Sequence, residues 1–279
     1  MRRSLIWNPL LGKPRYEHRP RLNPSHLLYP GLAGLWLFNE GVGLVAGECV
    51  SNHNATCAGS AKLSGIGKYG SCLSLDGASG GYCGTSWTTG IAVNFSFSVW
   101  INSTTNVSYG AVMGDYQNST GADGWTLRFD SVGGALNFAH GGDAGFENLS
   151  FGSLYNQSWY HVIGVVTATS ITFYVNGVKG TVNCAKAFKP GARAFRIGAS
   201  AVDGASAWNG LIDLPMISNR LFTDSDALVL FKYPFGAPDN PRFIVEPRRT
   251  YFVPVGGAPP SFKPYWIPRK TRPIGLGVM

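Results

Sequence analysis

The chain has 279 residues, 44% of them apolar and 14% charged, and a formal net charge of +8. The apolar fraction is ordinary for a folded protein with a sizeable core. No stretch approaches the roughly 20 apolar residues of a membrane-crossing helix, so a helical membrane protein is excluded. Proline and charge divide the chain into three. Fourteen of the 17 prolines and 13 of the 23 Lys and Arg residues lie outside residues 31–236. Residues 1–30 carry Arg2, Arg3, Lys13, Arg15, Arg19 and Arg21 against Glu17, and residues 237–279 carry seven basic against two acidic residues, so each end is +5 and the middle is −2. The chain therefore reads as a basic Pro-rich arm (1–30), one domain (31–236) and a second basic Pro-rich arm (237–279), a layout suited to holding a folded domain on an acidic partner.

In chain order, the first arm repeats Pro9, Pro14, Pro20, Pro24 and Pro30, a spacing that forbids regular helix and favours extended chain. Leu32 to Phe38 follows as an apolar run. Phe95, Phe97, Val99 and Ile101 alternate with Ser96, Ser98 and Trp100, and Trp125, Leu127 and Phe129 alternate with Thr126 and Arg128. This period of two, bounded by Gly, Asn, Asp and Ser, predicts half-buried strands. The Gly-rich stretch Gly141 to Phe151 reads as loop. Trp159 to Val166 and Ile171 to Val175 are β-branched and aromatic, and Asn176-Gly177 then signals a hairpin. Thr223-Asp224-Ser225-Asp226 predicts a capped start for a short helix over Ala227 to Phe231. The second arm is again punctuated by proline. Both arms carry apolar residues that a solvated linker lacks, among them Trp7, Tyr251, Phe252, Tyr265 and Trp266. Together with Arg2, Arg3, Arg15, Arg248, Arg249 and Arg269, these are the expected docking residues.

The start of the chain offers only Leu5, Ile6 and Trp7 before Asn8 and Pro9, too short an apolar run for a secretion signal. The five cysteines (Cys49, Cys57, Cys72, Cys83, Cys184) lack C-x-x-C spacing and read as buried thiols of a reduced protein, with Cys49–Cys57 the alternative disulfide. Seven Asn-x-Ser/Thr triplets matter only on a secretory route.

The middle segment resembles the concanavalin A-like jelly roll of the laminin G type. Gly31-Leu-Ala-Gly-Leu-Trp-Leu-Phe-Asn-Glu-Gly41 is similar to that family's opening strand. Leu73-Ser-Leu-Asp-Gly77, Phe95 to Trp100, Trp159-Tyr-His-Val162, Tyr174-Val-Asn-Gly177, Arg196-Ile-Gly198 and Trp208 to Asp213 follow in the family's order. The resemblance implies an all-β fold, an antiparallel two-sheet sandwich, with Trp36, Phe38, Phe97 and Trp100 in its core. His161 and Asp213 are expected to make structural hydrogen bonds. The family's acidic residue and Val after Asp213 are replaced by Leu214-Pro215, which predicts a bulge or an edge there.

Chemistry is sparse. A retaining glycosidase needs carboxylates about 5 Å apart, and Glu40, Glu48 and Glu147 have no acidic neighbour at strand spacing apart from Asp143, in loop-like sequence. Phosphate-loop, H-E-x-x-H and G-x-S-x-G motifs are missing. We therefore expect no enzymatic activity and no firm cofactor. Calcium is the one metal the resemblance implies, with Asp115, Asp123 and Asp143 as candidate ligands. Sugar binding, the family's common use, points to Tyr116, Trp125 and Trp208.

A lectin-like domain without a secretion signal fits a protein released by lysis. The expected function is that of a virion structural protein of a bacteriophage, decorating the capsid or serving as a tail or fibre adhesin. The expected partner is the major capsid or another virion protein, bound through both arms in many copies or as a homo-oligomer, with a surface glycan as a further partner. Neither membrane nor nucleic acid is expected. The alternative is a carbohydrate-binding module of a soluble or cell-surface protein.

Overall fold

Side-chain alternation sets this fold, because each strand that buries one face must find a second layer to bury it against. A computed structural model describes residues 13, 21–91, 93–116, 122–130, 134–142, 144–201, 206–235 and 244–245. The first half holds β1 (Arg21–Leu22), β2 (Leu32–Leu35), β3 (Val45–Ala46), β4 (Ala55–Ala58), β5 (Lys62–Gly67), β6 (Gly70–Asp76), β7 (Tyr82–Thr88) and β8 (Phe95–Ser103). Next come β9 (Ala111–Gly114), β10 (Trp125–Phe129), β11 (Ala135–Gly142), β12 (Gly145–Ser153), β13 (Trp159–Val166), β14 (Ser170–Val175) and β15 (Val178–Asn183). The chain closes with β16 (Ala194–Ile197), β17 (Asn209–Ser218), α1 (Asp224–Lys232) and β18 (Ile244–Val245).

Two antiparallel eight-stranded sheets form a sandwich. The first runs β12-β11-β10-β9-β16-β7-β4-β3, and the second runs β15-β14-β13-β8-β17-β6-β5 with β2 also on β17. Between them lies an aromatic core. Trp125 stacks on Phe97 at 5.4 Å and on Phe138 at 5.7 Å, while Trp208 stacks on Phe129 at 4.8 Å. Trp36, Phe38 and Phe97 occupy this core as expected, but Trp100 does not. Alternation along β8 sends Trp100 to the opposite face with Ser96 and Ser98, into a second cluster formed with Leu35, Tyr174, Met216 and the α1 residues Ala227 and Leu230. The second sheet is thus buried on both faces, and α1 closes the outer one.

The local signals behave as their chemistry requires. Asn176 (φ 50°) and Gly177 (φ 82°) turn β14 into β15, left-handed angles that this pair tolerates. Thr223 caps α1, with its hydroxyl accepting from the Asp226 N–H and the Asp226 carboxylate accepting from the Thr223 N–H. At Leu214-Pro215 the register of β17 against β8 slips between Asp213 and Met216, which is the expected bulge.

Three expectations are corrected. Cys57 and Cys83 face each other in register across β4 and β7 and form a disulfide, which replaces both the all-thiol reading and the Cys49–Cys57 pairing; Cys49, Cys72 and Cys184 are free. The stretch Gly141 to Phe151, read as loop, instead contributes the end of β11 and most of the edge strand β12, where the alternation of Leu149 and Phe151 with polar residues outweighs the glycines. Part of the first arm also packs on the domain. Leu22 and Leu28 join the second cluster, His26 is buried, β1 pairs with β18, and the buried Lys13 ammonium bonds the Asp213 carboxylate and the Ser71 carbonyl.

Candidate functional site

Strand β10 turns Trp125, Leu127 and Phe129 into the core, so Thr126 and Arg128 project from the outer face of the first sheet. In register beside Arg128 are Asn137 on β11 and, beyond it, Ser150 on the edge strand β12. Phe146, Asn148 and Ser150 share this outer face by alternation, and all three are exposed, Phe146 at 47%. Arg128 Nη2 donates to Asn148 Oδ1 at 2.9 Å. Its guanidinium lies between two tyrosines, 4.9 Å from the Tyr109 ring centre and 5.3 Å from that of Tyr116, a geometry in which the ring quadrupoles attract the cation.

Two polar atoms here have no hydrogen-bond partner although both are buried, the donor Arg128 Nε and the acceptor Asn137 Oδ1. Arg128 is 7% exposed and Asn137 2%. Burial pulls the Arg128 pKa below its ordinary value, while Tyr116, Tyr109 and Asp130 counter the shift. Among the described residues no carboxylate comes within ion-pair distance of this guanidinium. Tyr109, the outer cover, is 41% exposed and has φ 58°, a left-handed conformation uncommon for an aromatic residue. Farther across the same face, Arg196 on β16 lies 4.2 Å over the Tyr82 ring and donates to the Ser200 carbonyl at 2.9 Å.

A second polar cluster joins the ends of β9 and β10. Asp115 is fully buried; its carboxylate accepts from the Thr89 hydroxyl and, at 3.1 Å, from the Trp125 N–H. Gly191 is packed so closely that a Cβ there would lie 2.5 Å from the Asp115 carboxyl carbon. Burial pushes the Asp115 pKa up to about 6 against the hydrogen bonds that lower it, and nearby Asp123 adds to the rise. Asp123 Oδ1 is buried without a partner. This donor set does not fit calcium, a hard cation that takes six to eight oxygens. Both Asp115 oxygens are engaged, its carboxyl is driven toward the neutral form, and among the described residues no group of three metal-ligating side chains forms. The third candidate, Asp143, lies outside the described residues.

The aromatic candidates are placed differently from the sugar-binding expectation. Trp125 (1% exposed) and Trp208 (0%) are core residues that no sugar can reach, a consequence of their inward positions on and beside strands. Tyr116, also buried, reaches the site as the inner tyrosine of Arg128. The surface partners of this face, Tyr109, Phe146 and Asn148, were missed. Their signal was the parity of Arg128 on β10, readable only once β12 was recognised as a strand. His161 is structural, as expected: Nε2 is 2.8 Å from Ser98 Oγ, the ring stacks on Trp100 at 4.8 Å, and burial lowers its pKa to about 3. The arm residues Arg2, Arg3, Trp7, Arg15, Arg248, Arg249, Tyr251, Phe252, Tyr265, Trp266 and Arg269 lie outside the described residues.

The laminin G type 3 model of the concanavalin A-like lectin/glucanases superfamily matches residues 77–227. The chain belongs to this superfamily and contains a domain of its lectin and glucanase type. Among solved structures it is similar to domain 4 of AbnA, a GH43 extracellular arabinanase from Geobacillus stearothermophilus, solved with arabinotriose, at 17% identity and TM-score 0.59 over 72% of this chain and 98% of that one. The binding domain of Paraclostridial Mosquitocidal Protein 1 aligns at 14% identity and TM-score 0.57, covering 72% of this chain and 52% of that one. Trypanosoma rangeli sialidase aligns at 16% identity and TM-score 0.52, over 72% of this chain and 32% of the sialidase, so the likeness spans about a third of that enzyme. A search of the curated proteins finds no match.

These neighbours overturn the exclusion of enzymatic activity. An arabinanase and a sialidase carry the same fold, which lectins and enzymes share. Carboxylates also need not share one strand to meet: Asp115, after β9, and Asp123, before β10, act on each other electrostatically although eight positions apart.

Proposed function

We propose that this chain binds carbohydrate on the outer face of its first sheet, around Arg128. The observation that carries the reading is the pairing of an unsatisfied donor, Arg128 Nε, with an unsatisfied acceptor, Asn137 Oδ1, on adjacent strands. A sugar hydroxyl can accept from one and donate to the other, which removes the desolvation penalty of both. Tyr109 provides an exposed ring beside Arg128, and Phe146 a second one on the same face, two residues from Asn148, both suited to the apolar face of a pyranose. The likeness to an arabinanase domain solved with arabinotriose supports a saccharide ligand. An oligosaccharide panel probed with the full chain should give binding that weakens at least tenfold, about 1.4 kcal/mol, in Tyr109→Ala. Binding unaffected by Tyr109→Ala and Phe146→Ala would move the site elsewhere.

A second proposal concerns the carrier. The pairing of β1 with β18 brings together one short strand from each of the two basic segments. This favours the reading of a virion component, a bacteriophage capsid decoration or tail protein held through its arms on an acidic subunit and displaying the sandwich outward. Deleting residues 246–279 should release the protein from its assembly and leave glycan binding intact. Retention of such a truncated protein on particles would contradict docking through the C-terminal arm.

A further inference from the structure

We infer that the saccharide taken by this face is an acidic one, carrying carboxylate groups; this rests on the glycan-binding reading and gives it a chemical class. Two guanidinium groups share the outer face of the first sheet. Arg128 stands on β10 and Arg196 on β16, with β9 between them; Arg196 is opposite Gly114, which faces Thr126 rather than Arg128, so the two are offset by about two residues along the strands as well as about 10 Å across them. Each is laid on tyrosine, Arg128 between Tyr109 and Tyr116 and Arg196 over Tyr82. Neither has a carboxylate at ion-pair distance among the described residues. Asp130, which follows β10, acts on Arg128 only at longer range.

The cost of this arrangement is what points to the ligand. A buried cation without a counter-charge is destabilising, and a folded domain retains one where something else compensates it. Two acidic groups of the described residues near this sheet are engaged elsewhere. Glu147 points away from this face, accepting from the Ala185 and Lys186 N–H groups and pairing with His140, and Asp115 is enclosed by Thr89, Trp125 and Gly191. What Arg128 keeps free is a buried N–H beside an exposed aromatic cover, and a planar guanidinium suits a planar carboxylate better than a hydroxyl. Tyr109, whose exposed ring lies 4.9 Å from the guanidinium, is the platform beside which a carboxylate would meet Arg128. Asn137 Oδ1 remains for a neighbouring sugar hydroxyl.

The test is calorimetric titration of the full chain with trigalacturonate and a hyaluronan tetrasaccharide, each against its carboxyl-reduced form, which keeps the sugar skeleton and removes only the charge. At least one acidic form should bind tenfold or more tightly than its reduced counterpart. That gap should narrow with added salt and should close in Arg128→Gln and Arg196→Gln variants shown by melting to be folded. Arg196 is half-buried and serves as the safer substitution if Arg128→Gln does not fold. Equal binding of acidic and reduced forms, or binding of neutral panel sugars alone, overturns the acidic class and leaves the glycan-binding reading standing. Failure of every panel sugar, acidic or neutral, defeats that reading and this inference with it.

Discussion

At the scale of single residues, burial sets two titrations of opposite sign. His161 is buried with its pKa lowered from 6.5 to about 3, so the unfolded chain takes up a proton that the folded one refuses. Its contribution to stability is complete above pH 6.5 and is lost as pH falls toward 3. Asp115 behaves inversely. With its pKa raised from 3.8 to about 6, it favours the folded state fully below pH 3.8 and loses that advantage as pH rises through 6. Melting temperature measured from pH 4 to 7 should therefore rise less with pH in His161→Phe than in the parent, and more in Asp115→Asn. Parallel curves for all three proteins would show that neither group titrates as its burial requires. Of these two, only the structural role of His161 was legible in sequence, through the family's Trp-Tyr-His-Val station. The state of Asp115 depends on Gly191 and Thr89, which approach from distant segments, and no local pattern signals it.

At the scale of elements, legibility followed how local the determinant is. The Asn176-Gly177 hairpin and the Thr223 cap rest on side chains acting within four residues, and both were read correctly. Strand β8 was placed correctly but its second buried face was not, since alternation shows that Trp100 faces away from Phe97 without showing what covers it. The N-terminal segment was misread most. Its prolines and charge describe an arm, yet Lys13 pairs with Asp213, 200 positions away in sequence, and Leu22 and Leu28 complete the cluster beneath α1. Burial raises the Asp213 pKa even with Lys13 beside it, so loss of the ammonium leaves a buried carboxylate compensated only by the Tyr69 and Leu214 N–H groups. Lys13→Met in the full chain should destabilise the domain by about 3–5 kcal/mol, and Asp213→Asn placed on top of it should recover part of the loss. Chemical denaturation would check this. A Lys13→Met midpoint equal to the parent's would show that the segment does not hold the domain.

At the scale of the whole molecule, the all-β class followed from large inward residues at period two, while the superfamily was legible through the resemblance of the motif stations in their order. The candidate site was not. It arises where three strands bring Arg128, Asn137 and Asn148 onto one face while a separate turn lays Tyr109 against Arg128. Of the expected sugar-binding residues only Tyr116 lies here, against Arg128, while Trp125 and Trp208 are held in the core. The central claim is that this outer face holds a saccharide, and a crystal structure of the full chain with its tightest-binding oligosaccharide tests it most directly. The account predicts sugar density against Tyr109 and Phe146, with a polar group of the ligand on Arg128 Nε and Asn137 Oδ1. Density on the loops joining the two sheets, or over α1, with Arg128 and Asn137 still unpaired, would contradict it.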